Sequence, residues 1–132
     1  MRPRELASGL LMLLWLHGCE PGGREDAGPR LPPPPDSVPA MLATGQRLYL
    51  EHCVDCHGDH ARGTPDGPPL VHPVYRSSHH ADVAFQLAVQ RGVRAHHWRF
   101  GDMPPVPGVA AGDVREIVRY VRWLQVEAGI EG

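Results

Sequence analysis

The sequence predicts a small helical domain behind a proline-rich N-terminal segment. Three stretches, residues 41–52, 81–91 and 113–127, repeat apolar side chains at the three- and four-residue spacing of amphipathic helices. Fifteen prolines and fifteen glycines occur among the 132 residues, and much of the proline falls in one N-terminal tract, so the ordered part is shorter than the chain. About ninety ordered residues form only a marginal apolar core by themselves.

The first predicted helix, residues 41–52, has a glycine in its interior. Gly45 is less favourable there than alanine by about 0.5–1 kcal/mol, which suggests that another backbone or ring presses close to it. The last predicted helix is the expected neighbour, with Tyr120 over Gly45.

The last predicted helix runs from Asp113 to Glu127. Asp113 and Glu116 stand at the spacing of a capping box, and Gly129 marks the end. One face is apolar and is expected to be core, with arginines opposite; its members are Val114, Ile117, Val118, Val121 and Leu124.

The middle predicted helix spans residues 81–91. Ser77 or Ser78 is the expected start signal and Gly92 is the stop. Its side chains at helical spacing are Val83, Ala84, Leu87, Ala88 and Arg91.

The strongest motif follows the first helix: Cys53, Cys56 and His57 form C-x-x-C-H, which is typical of c-type haem attachment. Two thiols three positions apart lie on one side of a helical turn, where each can add to a vinyl group of one porphyrin. The adjacent imidazole can then serve as the proximal iron ligand. A redox disulfide or half of a zinc site is the alternative. The only other cysteine, Cys19, stands in a different context, and structural zinc normally needs a second ligand pair. A buried haem would also supply much of the missing core.

A second candidate iron ligand is Met103, which is followed by Pro104 and Pro105. A thioether suits haem iron opposite histidine and raises the reduction potential. The two prolines would stiffen its loop, while Trp98 and Phe100 would bring apolar rings to the porphyrin.

Other histidines leave alternatives open. His96 or His97 could bind the iron in place of Met103, which would give bis-histidine ligation and a lower potential. The pairs at 79–80 and 96–97 could bind exogenous copper or zinc, although neighbours on a helix do not face each other. The remaining histidines are expected to face solvent, together with the pair at 79–80: His52, His60, His72, His79 and His80.

The glycine- and proline-rich loop after the motif offers a partner for His57. A metal-bound imidazole usually donates its other N–H to a carbonyl, which fixes the ring and raises its basicity. Pro68 is the candidate, because a proline carbonyl is held rigidly; a turn-forming proline is the alternative.

The N-terminus, residues 1–18, is predicted to be an export signal. Arg2 and Arg4 precede an apolar run of about eleven residues, which is too short for the ~20 of a membrane-spanning helix. The run ends at Cys19 in a sequence that resembles the lipobox of bacterial lipoproteins, in which that cysteine is lipidated. An ordinary secretory signal is the alternative. Both place the protein outside the cytoplasm, and the lipobox favours the periplasmic face of a bacterial membrane.

Residues 19–40 form the predicted linker, which we expect to be disordered apart from its run of four prolines. That run, residues 32–35, favours polyproline II. The predicted domains are therefore a signal at 1–18, a linker at 19–40 and a haem domain at 41–132. The linker is either a tether or a passive spacer.

From about residue 41 to residue 130 the chain resembles a class I c-type cytochrome. The matching features stand in order: Gly45 and Tyr49, the C-x-x-C-H motif with Gly58, the segment 67–70, Met103 with Pro104, and a final helix with Tyr120 and Trp123. The resemblance implies an all-α cytochrome c fold of three to four helices around one haem. It also implies that the first and last helices cross near Gly45.

The resemblance implies one haem c held through Cys53 and Cys56. His57 and Met103 would be its axial ligands, and the Pro68 carbonyl would be the partner of His57. It also implies single-electron transfer between a redox donor and acceptor, without catalysis by this chain. A haem sensor or peroxidase-like domain with a displaceable sixth ligand is one alternative, and an electron-entry subunit of a membrane oxidoreductase is another. The net charge of −2 and the absence of a basic run exclude nucleic acid as the expected partner.

Overall fold

The computed structural model describes residues 30–130. Within this range the regular secondary structure consists of helices, and there is no β-strand. These helices are α1 (Ala43–His52), α2 (Val54–His57), α3 (Asp82–Arg91) and α4 (Ala111–Glu127), with 3-10 turns at Ala40–Leu42, Asp59–Ala61 and Pro73–Tyr75. Extended pairing in residues 30–130 is limited to two isolated bridges. The predicted all-α fold class is confirmed.

The start of α3 differs from the prediction. The helix begins at Asp82 with Ala81 at its N-cap and no side chain capping it, so neither Ser77 nor Ser78 is the start signal. The reason is a separate turn: the amides of His79 and His80 both donate to the carbonyl of Arg76, which ends the turn before the helix begins. Gly92 ends the helix at a φ of 74°, as predicted.

The capping box predicted for α4 is also wrong. The helix begins two residues earlier, at Ala111, and its N-cap, Ala110, makes no side-chain hydrogen bond. Asp113 therefore lies inside the first turn, where a carboxylate still interacts favourably with the helix N-terminus. Glu116 turns outward and pairs with Arg119 at 3.1 Å.

Helices α1 and α4 cross at Gly45, as predicted. A β-carbon at Gly45 would lie 2.2 Å from the carbonyl oxygen of Glu116 and 3.1 Å from the β-carbon of Tyr120. One turn further on, the rings of Tyr49 and Tyr120 stand 5.5 Å apart. The predicted apolar face of α4 is buried, and its members Ile117, Val121 and Leu124 share the core cluster with Leu48 and Tyr49 of α1.

The segment before α1 lies against the domain from Leu31 onward. Leu31 and Val38 pack on the core, and the guanidinium of Arg62 donates to the carbonyl of Pro32. The last part of the predicted linker is thus in contact with the folded domain. The predicted signal and Cys19 lie outside the described residues. Among residues 30–130, no helix has both the length and the apolar character needed to span a bilayer.

Candidate haem site

The C-x-x-C-H motif folds into the short helix α2, which follows α1 almost without a break. Cys53 is the N-cap of α2 and its amide still bonds to the carbonyl of Tyr49, so the thiols and His57 extend the first helix. All three side chains line one cavity. The motif therefore presents two thiols and an imidazole to the same space.

The environment of Cys53 disfavours a redox disulfide. Burial, followed by the charge of Cys56, raises the pKa of the Cys53 thiol to about 11. Reactive Cys-x-x-Cys motifs instead have a thiol pKa of roughly 3.5–7.5, because the thiolate is the nucleophile. Cys53 is accordingly a neutral thiol at neutral pH.

A tight loop wraps the backbone of α2 and brings Pro68 to His57. The hydroxyl of Thr64 donates to the carbonyl of Cys56 at 2.7 Å. A β-carbon at Gly67 would lie 2.6 Å from that same oxygen, so only glycine lets the loop approach this closely. The next residue, Pro68, is thereby held beside the motif.

The imidazole of His57 is buried and has a fixed orientation. Its Nδ1 lies 2.8 Å from the carbonyl oxygen of Pro68. Because a carbonyl only accepts, Nδ1 carries the proton and Nε2 keeps its lone pair. Burial lowers the pKa of His57 although the Pro68 hydrogen bond opposes this. A neutral ring with one fixed N–H is the state in which histidine binds a metal.

Tyr49 ties the motif to the helix crossing. Its hydroxyl donates to the carbonyl of Gly58, the residue after His57, at 2.8 Å. Burial, followed by the charge of Cys53, raises the pKa of Tyr49, so the hydroxyl stays protonated. The contact between α1 and α4 thus also positions the iron-ligand candidate.

Met103 lies on the same cavity as His57 and is held by its backbone. Its N–H and C=O pair with those of Val93, each at 2.9 Å. Gly92 makes room for this pairing, since a β-carbon there would lie 2.5 Å from the Met103 carbonyl. The end of α3 therefore positions the loop that carries the thioether.

The cavity measures about 470 Å³. That volume falls within the ~300–1,000 Å³ of cofactor-sized pockets. Trp98 and Phe100 are among its lining, as predicted, and the indole N–H of Trp98 donates to the hydroxyl of Tyr75 at 3.1 Å. Apolar side chains from α3 and α4 complete the wall: Ala84, Phe85, Leu87, Val114 and Val118. Two thiols, an imidazole and a thioether in one mostly apolar cavity fit a covalently held haem.

Histidines gather at the edge of this cavity, an arrangement that sequence reasoning missed. The rings of His80 and His97 stand 5.2 Å apart, and those of His79 and His97 stand 5.4 Å apart. His96 lies 4.2 Å from His97. His79, expected to face solvent, is exposed, whereas His80 is half-buried.

Comparisons with known proteins agree with the site. The family model for cytochrome c matches residues 42–125. The chain is 36% identical over 72 residues to the cytochrome c subunit of the cytochrome bc1 complex of Mycobacterium bovis, and equally so to that of two strains of Mycobacterium tuberculosis. The alignment covers 52% of this chain and 25% of each relative, so the chain spans about a quarter of the length of the curated relatives it matches. No solved structure matches significantly.

The family match covers the helix crossing, the C-x-x-C-H motif and Met103. A cytochrome c domain implies covalently bound haem c, and the two cysteines that this needs, Cys53 and Cys56, are present. The function associated with such a domain is electron transfer. The chain belongs to the cytochrome c family.

Proposed function

We propose that this chain is a mono-haem electron carrier. Cys53 and Cys56 would hold one haem c, and His57 and Met103 would bind its iron. The observation that carries the proposal is that all four side chains line one cavity in which the Pro68 carbonyl orients His57. Bound haem supplies a one-electron iron couple.

The residues around the cavity account for a carrier that does no chemistry on a substrate. His57 offers Nε2, because its Nδ1–H is engaged by Pro68. Met103 offers an uncharged sulfur, which favours the reduced metal and a higher potential. The backbone pairing of Met103 with Val93 fixes the loop that carries the thioether, which supports a sixth ligand that stays on the iron. A sensor or a peroxidase would need this ligand to be displaced, so the pairing favours an electron carrier.

The contacts of His96 and His97 also support Met103, and not one of these histidines, as the second iron ligand. The rings of His96 and His97 pack with those of His79 and His80, in a cluster at the cavity edge. The Nδ1 of His96 is further engaged with the carbonyl of Arg94 at 2.8 Å. We therefore assign the sixth position to Met103.

The proposed partners are redox proteins at a membrane. The mycobacterial relatives are named as subunits of a cytochrome bc1 complex. We propose that this chain likewise exchanges electrons with, or belongs to, such a membrane complex. The proposed location is the periplasmic face of a bacterial membrane, reached through the signal at 1–18 and a lipid anchor at Cys19.

Optical spectra of the full chain in both oxidation states test the ligand set. We expect a covalently bound haem with the weak red charge-transfer band of methionine bound to ferric iron. Met103→Ala should abolish this band and let the ferrous form bind carbon monoxide. Met41→Ala is the matched control, because Met41 is 73% exposed and should leave both properties unchanged.

Two results would contradict the assignment. A native protein without the band that binds carbon monoxide readily would favour a sensor or an enzyme. A band that survives in Met103→Ala would remove Met103 from the iron.

A further inference from the structure

Two separate loops bring a histidine cluster together at the edge of the haem cavity. The turn at residues 76–80 contributes His79 and His80, and the loop at 93–103 contributes His97. One ring nitrogen from each of these three residues lies within 4.8 Å of the other two. Three imidazole nitrogens from outside the proposed iron-ligand set therefore lie close together.

We propose that His79, His80 and His97 bind one divalent transition-metal ion of the zinc and copper class. Imidazole nitrogens suit zinc, copper and nickel, whereas magnesium and calcium prefer oxygen ligands. Three protein ligands leave a fourth position for water or another small ligand. The three residues are outside the proposed iron-ligand set, and two of them, His80 and His97, also line the haem cavity.

The hydrogen bonds of His80 suit a metal ligand. Its Nδ1 lies 2.7 Å from the carbonyl oxygen of Val74. Because the carbonyl accepts, Nδ1 carries the proton and Nε2 is free to bind. A histidine ligand almost always donates its second N–H in this way, and the contact fixes both tautomer and ring orientation.

The backbone that carries the first two histidines is well fixed. The amides of His79 and His80 donate to the carbonyl of Arg76 at 3.0 and 2.8 Å. Arg122 of α4 donates to the carbonyls of Tyr75 and His80, and pairs with Asp82 at 2.9 Å. The turn is therefore anchored to the longest helix before any ion binds.

The second loop is closed at its base. Val93 and Met103 pair through both backbone hydrogen bonds, and the amide of Ala95 donates to the carboxylate of Asp102 at 2.8 Å. His97 itself is exposed, so its side chain is free to turn toward the others. Zinc–nitrogen bonds of ~2.0–2.1 Å in a tetrahedral site need nitrogens about 3.3 Å apart, which small rotations of His79 and His97 can achieve.

The test is calorimetric titration of Zn²⁺ into the full haem-containing chain. We expect one tight site per chain. His79→Gln and His97→Gln, which remove ligands from different loops, should each weaken binding at least tenfold. His60→Asn is the matched control: it removes a histidine outside the cluster, and asparagine tolerates the φ of 52° at that position. It should leave the affinity unchanged.

A second measurement identifies the ligands directly. Electron paramagnetic resonance of the Cu²⁺-loaded ferric protein should show couplings to imidazole nitrogens, and these should diminish in His97→Gln. The optical spectrum of the haem should be the same in every variant, which also shows that each one is folded.

Four outcomes would overturn the metal site. One is equal zinc affinity in the native chain and in His97→Gln. Another is a loss in His60→Asn as large as in the cluster variants. The third is a changed axial-ligand spectrum in His97→Gln, which would place His97 on the iron. Weak zinc binding with an unchanged haem spectrum would refute the cluster alone and leave the electron-carrier proposal standing.

Discussion

Gly45 of α1 lies directly against the backbone of Glu116 in α4, at a distance that excludes any β-carbon. The oxygen of Glu116 would be 2.2 Å from such a carbon, and it is backbone, so it cannot move aside as a flexible side chain does. This contact sets the spacing of the two helices, and Tyr49 transmits it to the residue after His57.

Gly45→Ala should destabilise the domain even though alanine is the better helix former. The gain in helix propensity of about 0.5–1 kcal/mol is smaller than the overpacking cost, typically about 1–3 kcal/mol and more against rigid backbone. Urea unfolding followed by circular dichroism would measure the change. Gly112→Ala is the control in α4, because a β-carbon there meets only a side-chain nitrogen of Arg115, at 3.6 Å. Equal stability of the two variants would refute the close crossing.

Gly67→Ala should disturb the imidazole of His57 through the loop that presents Pro68. The new β-carbon would lie 2.6 Å from the carbonyl oxygen of Cys56, so the loop must shift and lengthen the hydrogen bond from His57 to Pro68. We expect lower stability, a higher reduction potential and an altered ferric spectrum, because a longer hydrogen bond makes His57 a less basic ligand that stabilises ferric iron less and is held less firmly in orientation. Protein voltammetry would measure the reduction potential, and electron paramagnetic resonance would record the ferric spectrum. If Gly67→Ala and the control Gly112→Ala both give the spectra of the native protein, the loop accommodates the new β-carbon without moving Pro68, and the prediction is wrong.

Arg122→Met should destabilise the domain by at least about 2 kcal/mol, because hydrogen bonds to charged groups contribute roughly 1.5–3 kcal/mol each. The side chain is 18% exposed, pairs with Asp82 at 2.9 Å and lies 5.0 Å from the Phe85 ring centre. Its guanidinium also donates hydrogen bonds to the carbonyls of Tyr75 and His80, before α3.

Arg119→Met, one turn earlier on the same helix, is the comparison for Arg122. Arg119 is 55% exposed and pairs only with Glu116, so its loss should cost less than about 1 kcal/mol. Thermal or urea unfolding of both variants would give the difference. Similar losses for the two arginines would contradict the anchoring role of Arg122.

The sequence was sufficient for features that depend on local spacing or on one chemically specific motif. Gly45 was expected to lie under the last helix because a glycine is costly in a helix interior, and the structure places it there. The apolar face of α4 followed from its period. The motif at residues 53–57 indicated the haem chemistry because few other sites combine these residues at this spacing.

The start of α4 and the histidine cluster could not be predicted from the sequence, because they depend on how separate segments pack in three dimensions. Asp113 has the spacing of a capping residue, but the preceding Ala111 and Gly112 already adopt helical geometry, so the helix starts earlier. On a helix, the adjacent histidines at 79–80 and at 96–97 would point away from each other. They actually lie in turns and loops, and they meet because Val74 and Arg122 position one loop while Val93 and Met103 close the other.

With a lipid on Cys19, the contact of the proline-rich segment with the domain would limit how far the domain can extend from the membrane. If Cys19 carries the lipid, only eleven residues, 20–30, separate it from Leu31, where contact with the domain begins. Even fully extended, they reach about 40 Å at ~3.3–3.6 Å per residue. Under that condition, the domain would meet partners in the same membrane more often than a domain free in solution would. Weak binding then suffices for frequent encounters, and a fast dissociation rate allows each partner to be released promptly.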